Sequence, residues 1–244
     1  MRHWFLEGGT KIGTVITLEN PAIAELARIA GFDWAWIDGE HGSFDERGAA
    51  TAAAVLSPAT KSFVRVPDKT PTTLKRFLDA GCDGIIVPHV NSRADCDGIL
   101  RASLFPPHGQ RSVGIARAQG YGAYFSESIR TRSYALIIQI ETAEGVRNVQ
   151  EIVAMHEIDA VLIGPYDLSG SLGVLGEVDA PLVTAAIGKV LASCKAAGMP
   201  CGIFAGDAQR ASGYVAQGFD FVGAGVDTAL LLNAYSTLIK QARP

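Results

Sequence analysis

Apolar positions along the chain come in two textures. Short, nearly unbroken apolar runs lie at 13–18 (GTVITL), 34–38 (WAWID), 62–66 (SFVRV), 84–88 (GIIVP), 135–141 (ALIIQIE), 160–164 (AVLIG), 201–205 (CGIFA) and 221–225 (FVGAG). Their length and β-branched content predict strands. Over 21–30, 44–56, 71–80, 92–104, 142–154, 181–197, 207–217 and 227–241, apolar residues recur at helical spacing and predict helices. Apolar strands separated by amphipathic helices imply a parallel sheet covered on both faces. One phrase marks the joints. AGFDWAWID (30–38), AGCDGIIVP (80–88) and QGFDFVGAGVD (217–227) share Gly, an apolar residue and Asp before the strand, and EIDAVLIGP (157–165) lacks only the Gly. A Gly there ends a helix in the left-handed conformation, so each phrase reads as a helix-to-strand junction.

Eight such alternations in 244 residues predict a (β/α)8 TIM barrel as a single domain over 1–244. An open doubly wound sheet is the alternative. It places a glycine-rich turn after its first strand, and LENPA at that position is not glycine-rich. The stretch 105–133 (FPPHGQRSVGIARAQGYGAYFSESIRTRS) exceeds a plain connection and is expected in subunit contacts.

Composition narrows the function. Apolar residues make up 48% and charged residues 19%, as in a globular enzyme. A net charge of -4 with no basic run argues against nucleic acid or an anionic membrane as a partner. Cys82, Cys96, Cys194 and Cys201 form no CxxC pair and sit in apolar surroundings. No signal core or membrane-length apolar window occurs, so a cytoplasmic protein is expected.

In this fold the C-terminal ends of the strands carry the chemistry. Those ends supply Asp38, Glu40 and His41, then Arg65, His89, Gln139 with Glu141, and Asp167 within GPYDLSGSLG. Two carboxylates at neighbouring strand ends, Glu141 and Asp167, repel unless a cation lies between them. An oxygen-rich pair suits Mg2+ or Mn2+. Glu141 also fits an acid at a helix N-terminus, and Asp167 a turn residue. Arg65, inside an apolar strand, must face a carboxylate or a ligand anion. His41 fits a general acid or base, or a hydrogen-bonded loop histidine. Free N–H groups in GPYDLSGSLG can bind a carboxylate. Lys11, Lys61, Lys69, Lys75, Lys189, Lys195 and Lys240 all lie away from strand C-termini, which disfavours a lysine imine.

FDWAWIDGEHGSFD, FVRVP, FLDAGCDGIIVPHV, FPPHGQRSVG, IIQIET, IDAVLIGPYDLSGSLG and FVGAGVDTALL together resemble the HpcH/HpaI family, nearly end to end. These are class II, metal-dependent pyruvate aldolases. The resemblance implies reversible cleavage of a 4-hydroxy-2-oxo acid to pyruvate and an aldehyde, with Mg2+ or Mn2+ (or Co2+) as cofactor. It implies Glu141 and Asp167 as metal ligands and Arg65 as the residue on the keto oxygen. The amides of Tyr166 and Asp167 would take the pyruvate carboxylate, with Gln139 nearby. His41 would be the acid/base and Asp38 an acceptor contact. Asp79, at the end of a helix on the opposite face, would pair with His41 of another subunit, in a homo-oligomer that the family suggests is a hexamer. Two positions depart from the family: His89 stands where an apolar residue is common, and Tyr166 where a small one is found in several members. Both bear on which substrate is bound. Two other readings remain: a metal-dependent lyase acting on an acyl-CoA or another 2-oxo acid, and a non-catalytic carboxylate-binding protein.

Overall fold

Eight parallel strands pair in sequence order and the last closes on the first, in a computed structural model that describes residues 1–243. They are β1 (Lys11–Ile16), β2 (Trp34–Asp38), β3 (Lys61–Arg65), β4 (Gly84–Val87), β5 (Ala135–Ile140), β6 (Ala160–Ile163), β7 (Cys201–Ala205) and β8 (Phe221–Val226). The helices are α1 (Arg2–Leu6), α2 (Pro21–Ile29), α3 (Glu46–Leu56), α4 (Pro71–Asp79), α5 (Arg93–Ser103) and α6 (Phe125–Ser128). They continue with α7 (Ala143–Arg147), α8 (Val149–Val153), α9 (Pro165–Ser171), α10 (Pro181–Ala197), α11 (Ala208–Gln217) and α12 (Asp227–Ala242). The expected closed barrel is the observed one.

The repeated phrase has a physical purpose on the face opposite the strand C-termini. Gly31, Gly81 and Gly218 all adopt positive φ (87°, 75° and 82°), which only Gly takes without strain. The Asp two residues later turns its carboxylate sideways onto a neighbouring strand. Asp33 accepts from Ile12 N (2.7 Å), Asp83 from Ser62 N (2.9 Å), Asp159 from Leu136 N (2.9 Å) and Asp220 from Cys201 N (2.8 Å). Each odd strand is therefore clamped at its start by the aspartate that precedes an even strand.

Alternate residues of each strand point into the barrel. The inward set fills its lower and middle levels with Trp34, Trp36, Phe63, Ile86, Ile137, Leu162 and Phe221. Helix α1, which the apolar pattern did not predict, plugs the bottom. Phe5 stacks on Phe63 (5.4 Å between centroids) and leans on Phe221 (4.8 Å). The outward set packs against the helices as a second core that includes Ile16, Ile37, Val64, Ile85 and Leu136.

Two differences from the predicted elements have clear causes. The first strand was expected at 13–18 but runs Lys11–Ile16. Lys11 and Ile12 enter it because they pair with Phe221 and Val222 of β8, Lys11 N donating to the Asp220 carbonyl (2.9 Å), while Thr17 and Leu18 leave because Asp227 captures their N–H groups (3.0 and 2.9 Å). The helix expected over 142–154 breaks at Asn148, whose side chain donates to the Asn91 carbonyl (2.8 Å). Helix α12 forms as predicted but leaves the barrel. Only Asp227 of it is buried, and Leu230, Leu232, Tyr235, Leu238 and Ile239 are exposed. Among the described residues no helix is long and apolar enough to cross a membrane.

Candidate active site

The next inward step above the apolar layers is polar. Asp38 and Arg65 are register partners on β2 and β3, directly above Trp36 and Phe63. Both are buried. The guanidinium meets Asp38 through two bonds, Nε to Oδ1 (2.9 Å) and Nη2 to Oδ2 (2.7 Å). It meets Glu40 through Nη1 (2.9 Å) and lies over the Trp36 ring (4.9 Å). Burial works against its charge, but the bonds and charges of Asp38, then Glu40 and Glu141, outweigh this and raise its pKa. Arg65 is thus a permanently charged fork with little freedom to turn.

The segment Gly39–Gly42 wraps tightly over this pair. Asp38 Oδ1 also accepts from the N–H groups of Glu40 (3.1 Å) and His41 (3.3 Å). A side chain on Gly39 would press on the Arg65 carbonyl (2.8 Å), and one on Gly42 would collide with the carbonyls of Asp38 and Thr17. Small residues at both ends let the turn close, and His41 emerges from it with its imidazole 69% exposed.

Glu141 follows the end of β5 with its carboxylate buried. One oxygen accepts from His89 N (2.7 Å) and the other from the Gln139 amide. Burial raises its pKa; the amide and ring of His89 oppose this, and the charges of Asp167 and Glu40 reinforce it. His89 itself is held at φ 54°, a conformation sparsely used outside Gly, with Nδ1 3.2 Å from Glu141 and Nε2 3.6 Å from Glu40. Gly164 leaves room for these groups, since a Cβ there would lie 2.8 Å from both Gln139 Nε2 and Glu141 Oε2. Helix α9 starts at once, so the amides of Tyr166 and Asp167 have no partner in the preceding turn.

A cavity of about 270 Å3 opens here. Asp38, His41, Arg65, Gln139, Tyr166 and Asp167 line it, against an apolar wall of Val15, Trp36, Phe204 and Val226. The structure therefore gathers six of the expected residues around one space and sets Glu141 and His89 beside it. Asp79 is elsewhere. It ends α4 and pairs with buried Arg111 (2.6 Å), which stacks on Phe105 (4.7 Å) and Tyr134 (5.4 Å). Asp38, expected at the acceptor, has both oxygens committed to Arg65 and the turn.

The sequence pattern gives Glu40 no chemistry beyond its place at the end of a strand. Its side chain is nevertheless only 12% exposed and bonded to Arg65. Asp38, Glu40 and Glu141 thus act on one fixed cation, Arg65, and Asp167 adds a fourth carboxylate to the same cavity. Among the described residues no three His, Cys, Asp or Glu side chains form a ready metal cage. Two carboxylates with open lone pairs, an unpartnered buried Gln139 Oε1 and surplus negative charge suit a hard divalent cation that keeps waters or takes substrate oxygens.

A family model described as HpcH/HpaI aldolase/citrate lyase matches residues 11–234. A hydroxypyruvate/pyruvate aldolase of Pseudomonas aeruginosa is 37% identical over 237 residues, 95% of this chain and 88% of that one. A 4-hydroxy-2-oxovalerate aldolase of Novosphingobium aromaticivorans is 36% identical over 227 residues, covering 91% and 86%. The crystal structure of an HpcH/HpaI aldolase/citrate lyase family protein from Burkholderia cenocepacia J2315 superposes with a TM-score of 0.95 at 33% identity, covering 100% and 98%.

Proposed function

The chain belongs to the HpcH/HpaI aldolase/citrate lyase family, and on that premise we propose that it reversibly cleaves a 4-hydroxy-2-oxo acid to pyruvate and an aldehyde. The observation that carries this reading is Arg65, locked by two carboxylates at the wall of a cavity that Asp167 also lines, with the buried Glu141 beside it. A keto acid is an anion, and a site with surplus carboxylates admits one only when a cation enters as well.

Glu141 and Asp167 would hold Mg2+ or Mn2+ (Co2+ is a further candidate), and the bound cation would stabilise negative charge as it develops on the enolate oxygen. Gln139 fixes the Glu141 carboxylate from its buried side. Arg65 donates to the keto oxygen from a pre-set position, so little reorganisation accompanies charge development. The amides of Tyr166 and Asp167 receive the substrate carboxylate at the start of α9. His41 moves the proton of the C4 hydroxyl, and its exposure leaves it open to the acceptor side. Asp38 acts through Arg65 and the 39–42 turn. His89 and Tyr166 border the acceptor and bear on its choice.

A role for Asp79 at His41 needs a second copy of the chain, and α12 supports such an assembly. A barrel of this type covers every strand pair with a helix. Over β8 and β1, however, a groove of about 410 Å3 lined by Ile12, Phe32, Ala211, Val215 and Ala224 is met by only Leu230 of this chain's α12, whose later apolar residues stay exposed. We assign the groove to α12 of a second copy. The four buried, unpaired cysteines fit a reducing cytoplasm.

Exchange of the pyruvate methyl protons into deuterated water tests the reaction. Exchange that appears with Mn2+ and disappears with a chelator is expected. A chain that never exchanges with cation present sinks the aldolase reading in favour of a binding protein.

A further inference from the structure

Asp38 alone satisfies the charge of Arg65 through two short bonds. Glu40 adds a second carboxylate to the same guanidinium, and its charge also bears on Glu141. An anion nearly withdrawn from water, beside two other carboxylates, costs free energy that neutralising Arg65 does not require. The surplus faces two imidazoles. Glu40 Oε2, the oxygen that binds Arg65, lies 3.9 Å from His41 Nε2, and Oε1 lies 3.6 Å from His89 Nε2. Both rings are more than half exposed, so within one chain neither is held by packing, although His89 Nδ1 also meets Glu141 (3.2 Å). Within one chain, no hydrogen bond from another side chain reaches the His41 ring among the described residues, and the pairing with Asp79 discussed above would come from a second copy.

We propose that Glu40 is a positioning residue: its carboxylate, anchored on Arg65, orients the imidazole of His41 and, together with Glu141, that of His89, and so assembles the acceptor half of the site on the same guanidinium that serves the pyruvate half. This rests on the aldolase reading above. A turn residue such as His41 samples many rotamers in water, and a carboxylate facing Nε2 selects the one that leaves the other ring nitrogen outward. Proton transfer needs that placement to within hydrogen-bond reach. Enolisation of pyruvate does not use the hydroxyl proton, so the two half-reactions respond differently when Glu40 loses its charge.

The experiment uses the full chain with Mn2+ and two rates: methyl exchange of pyruvate, and cleavage of 4-hydroxy-2-oxopentanoate. Glu40→Gln keeps size and polarity, and a thermal melt checks that it folds. Cleavage kcat is expected to fall about a hundredfold, the lower end for losing acid–base assistance, with exchange falling no more than about tenfold. Glu40→Asp, which keeps the charge on a shorter arm, is expected to recover part of the cleavage rate without further change in exchange. Parallel losses of both rates in Glu40→Gln overturn the proposal, because Glu40 then acts only through Arg65. An unaltered cleavage rate overturns it as well. A wild-type chain with neither rate removes the aldolase reading itself, an outcome distinct from either.

Discussion

Replacing Arg65 by Met separates what this side chain does for the fold from what it does for the chemistry. Met keeps the length of the arm and deletes the charge. Asp38, 2% exposed, then loses both of its charge-assisted bonds and Glu40 loses one. Breaking a buried pair from one side costs about 3–5 kcal/mol, because the remaining charge has nothing to face. In a domain of this size each kcal/mol moves Tm by about 2–4 °C, so a drop of roughly 6–20 °C is expected. Losing a fixed donor to a developing oxyanion costs about 2.7–4 kcal/mol, or a rate factor of roughly 100–1000. Differential scanning calorimetry reads the first effect and pyruvate methyl exchange the second. The double variant Arg65→Met with Asp38→Asn makes the reasoning refutable. An amide at position 38 carries no charge, yet its oxygen still accepts from the N–H groups of Glu40 and His41. Most of the lost Tm should therefore return while exchange stays low. A Tm within about 2 °C of wild type in the single variant, less than the smallest expected drop, would falsify the buried-pair argument. Exchange restored in the double variant would remove Arg65 from the chemistry.

Two further outcomes are expected. Burial raises the pKa of Asp220, with the Cys201 amide partly opposing it. The folded state therefore binds this proton more tightly than the unfolded chain. Its contribution is fully present below the unfolded value of 3.8 and is lost as pH rises through the higher folded value. Asp220→Asn keeps an acceptor for Cys201 N and cannot titrate, so its Tm relative to wild type should rise between about pH 3.5 and about pH 7; a constant difference contradicts the assignment. Leu238→Glu places a charge on the exposed apolar face of α12 and is expected to sediment as a 25.7 kDa monomer where wild type does not; a wild type already monomeric at that mass refutes the assignment of α12 to a second copy.

What the sequence disclosed, and what it withheld, follows from the range of the interactions involved. The bounds of β2 and β7 were legible because strand burial on both faces writes itself into consecutive residues. The junction glycines were legible because positive φ is a one-residue requirement. Arg65 stood out as a charge within an apolar strand, and its need for a carboxylate followed from desolvation alone. That two carboxylates meet it did not follow. Glu40 sits beyond the end of β2, and whether its side chain turns inward depends on how closely Gly39 and Gly42 let the turn approach the Arg65, Asp38 and Thr17 carbonyls. The end of β1 was missed for a similar reason: Asp227, 210 residues from Thr17, takes the N–H groups that would have extended the strand. Helix α12 was predicted from its apolar spacing, yet that spacing carries no information about which barrel it covers. Asp79 was the opposite case. An anion at a helix C-terminus is locally unfavourable, yet on local grounds it read as an exposed helix-end residue; the resemblance singled it out, and within this chain its partner is Arg111. A local rule broken in the sequence thus pointed to Arg65, whereas Glu40 broke none, and only the folded turn brings it onto the site.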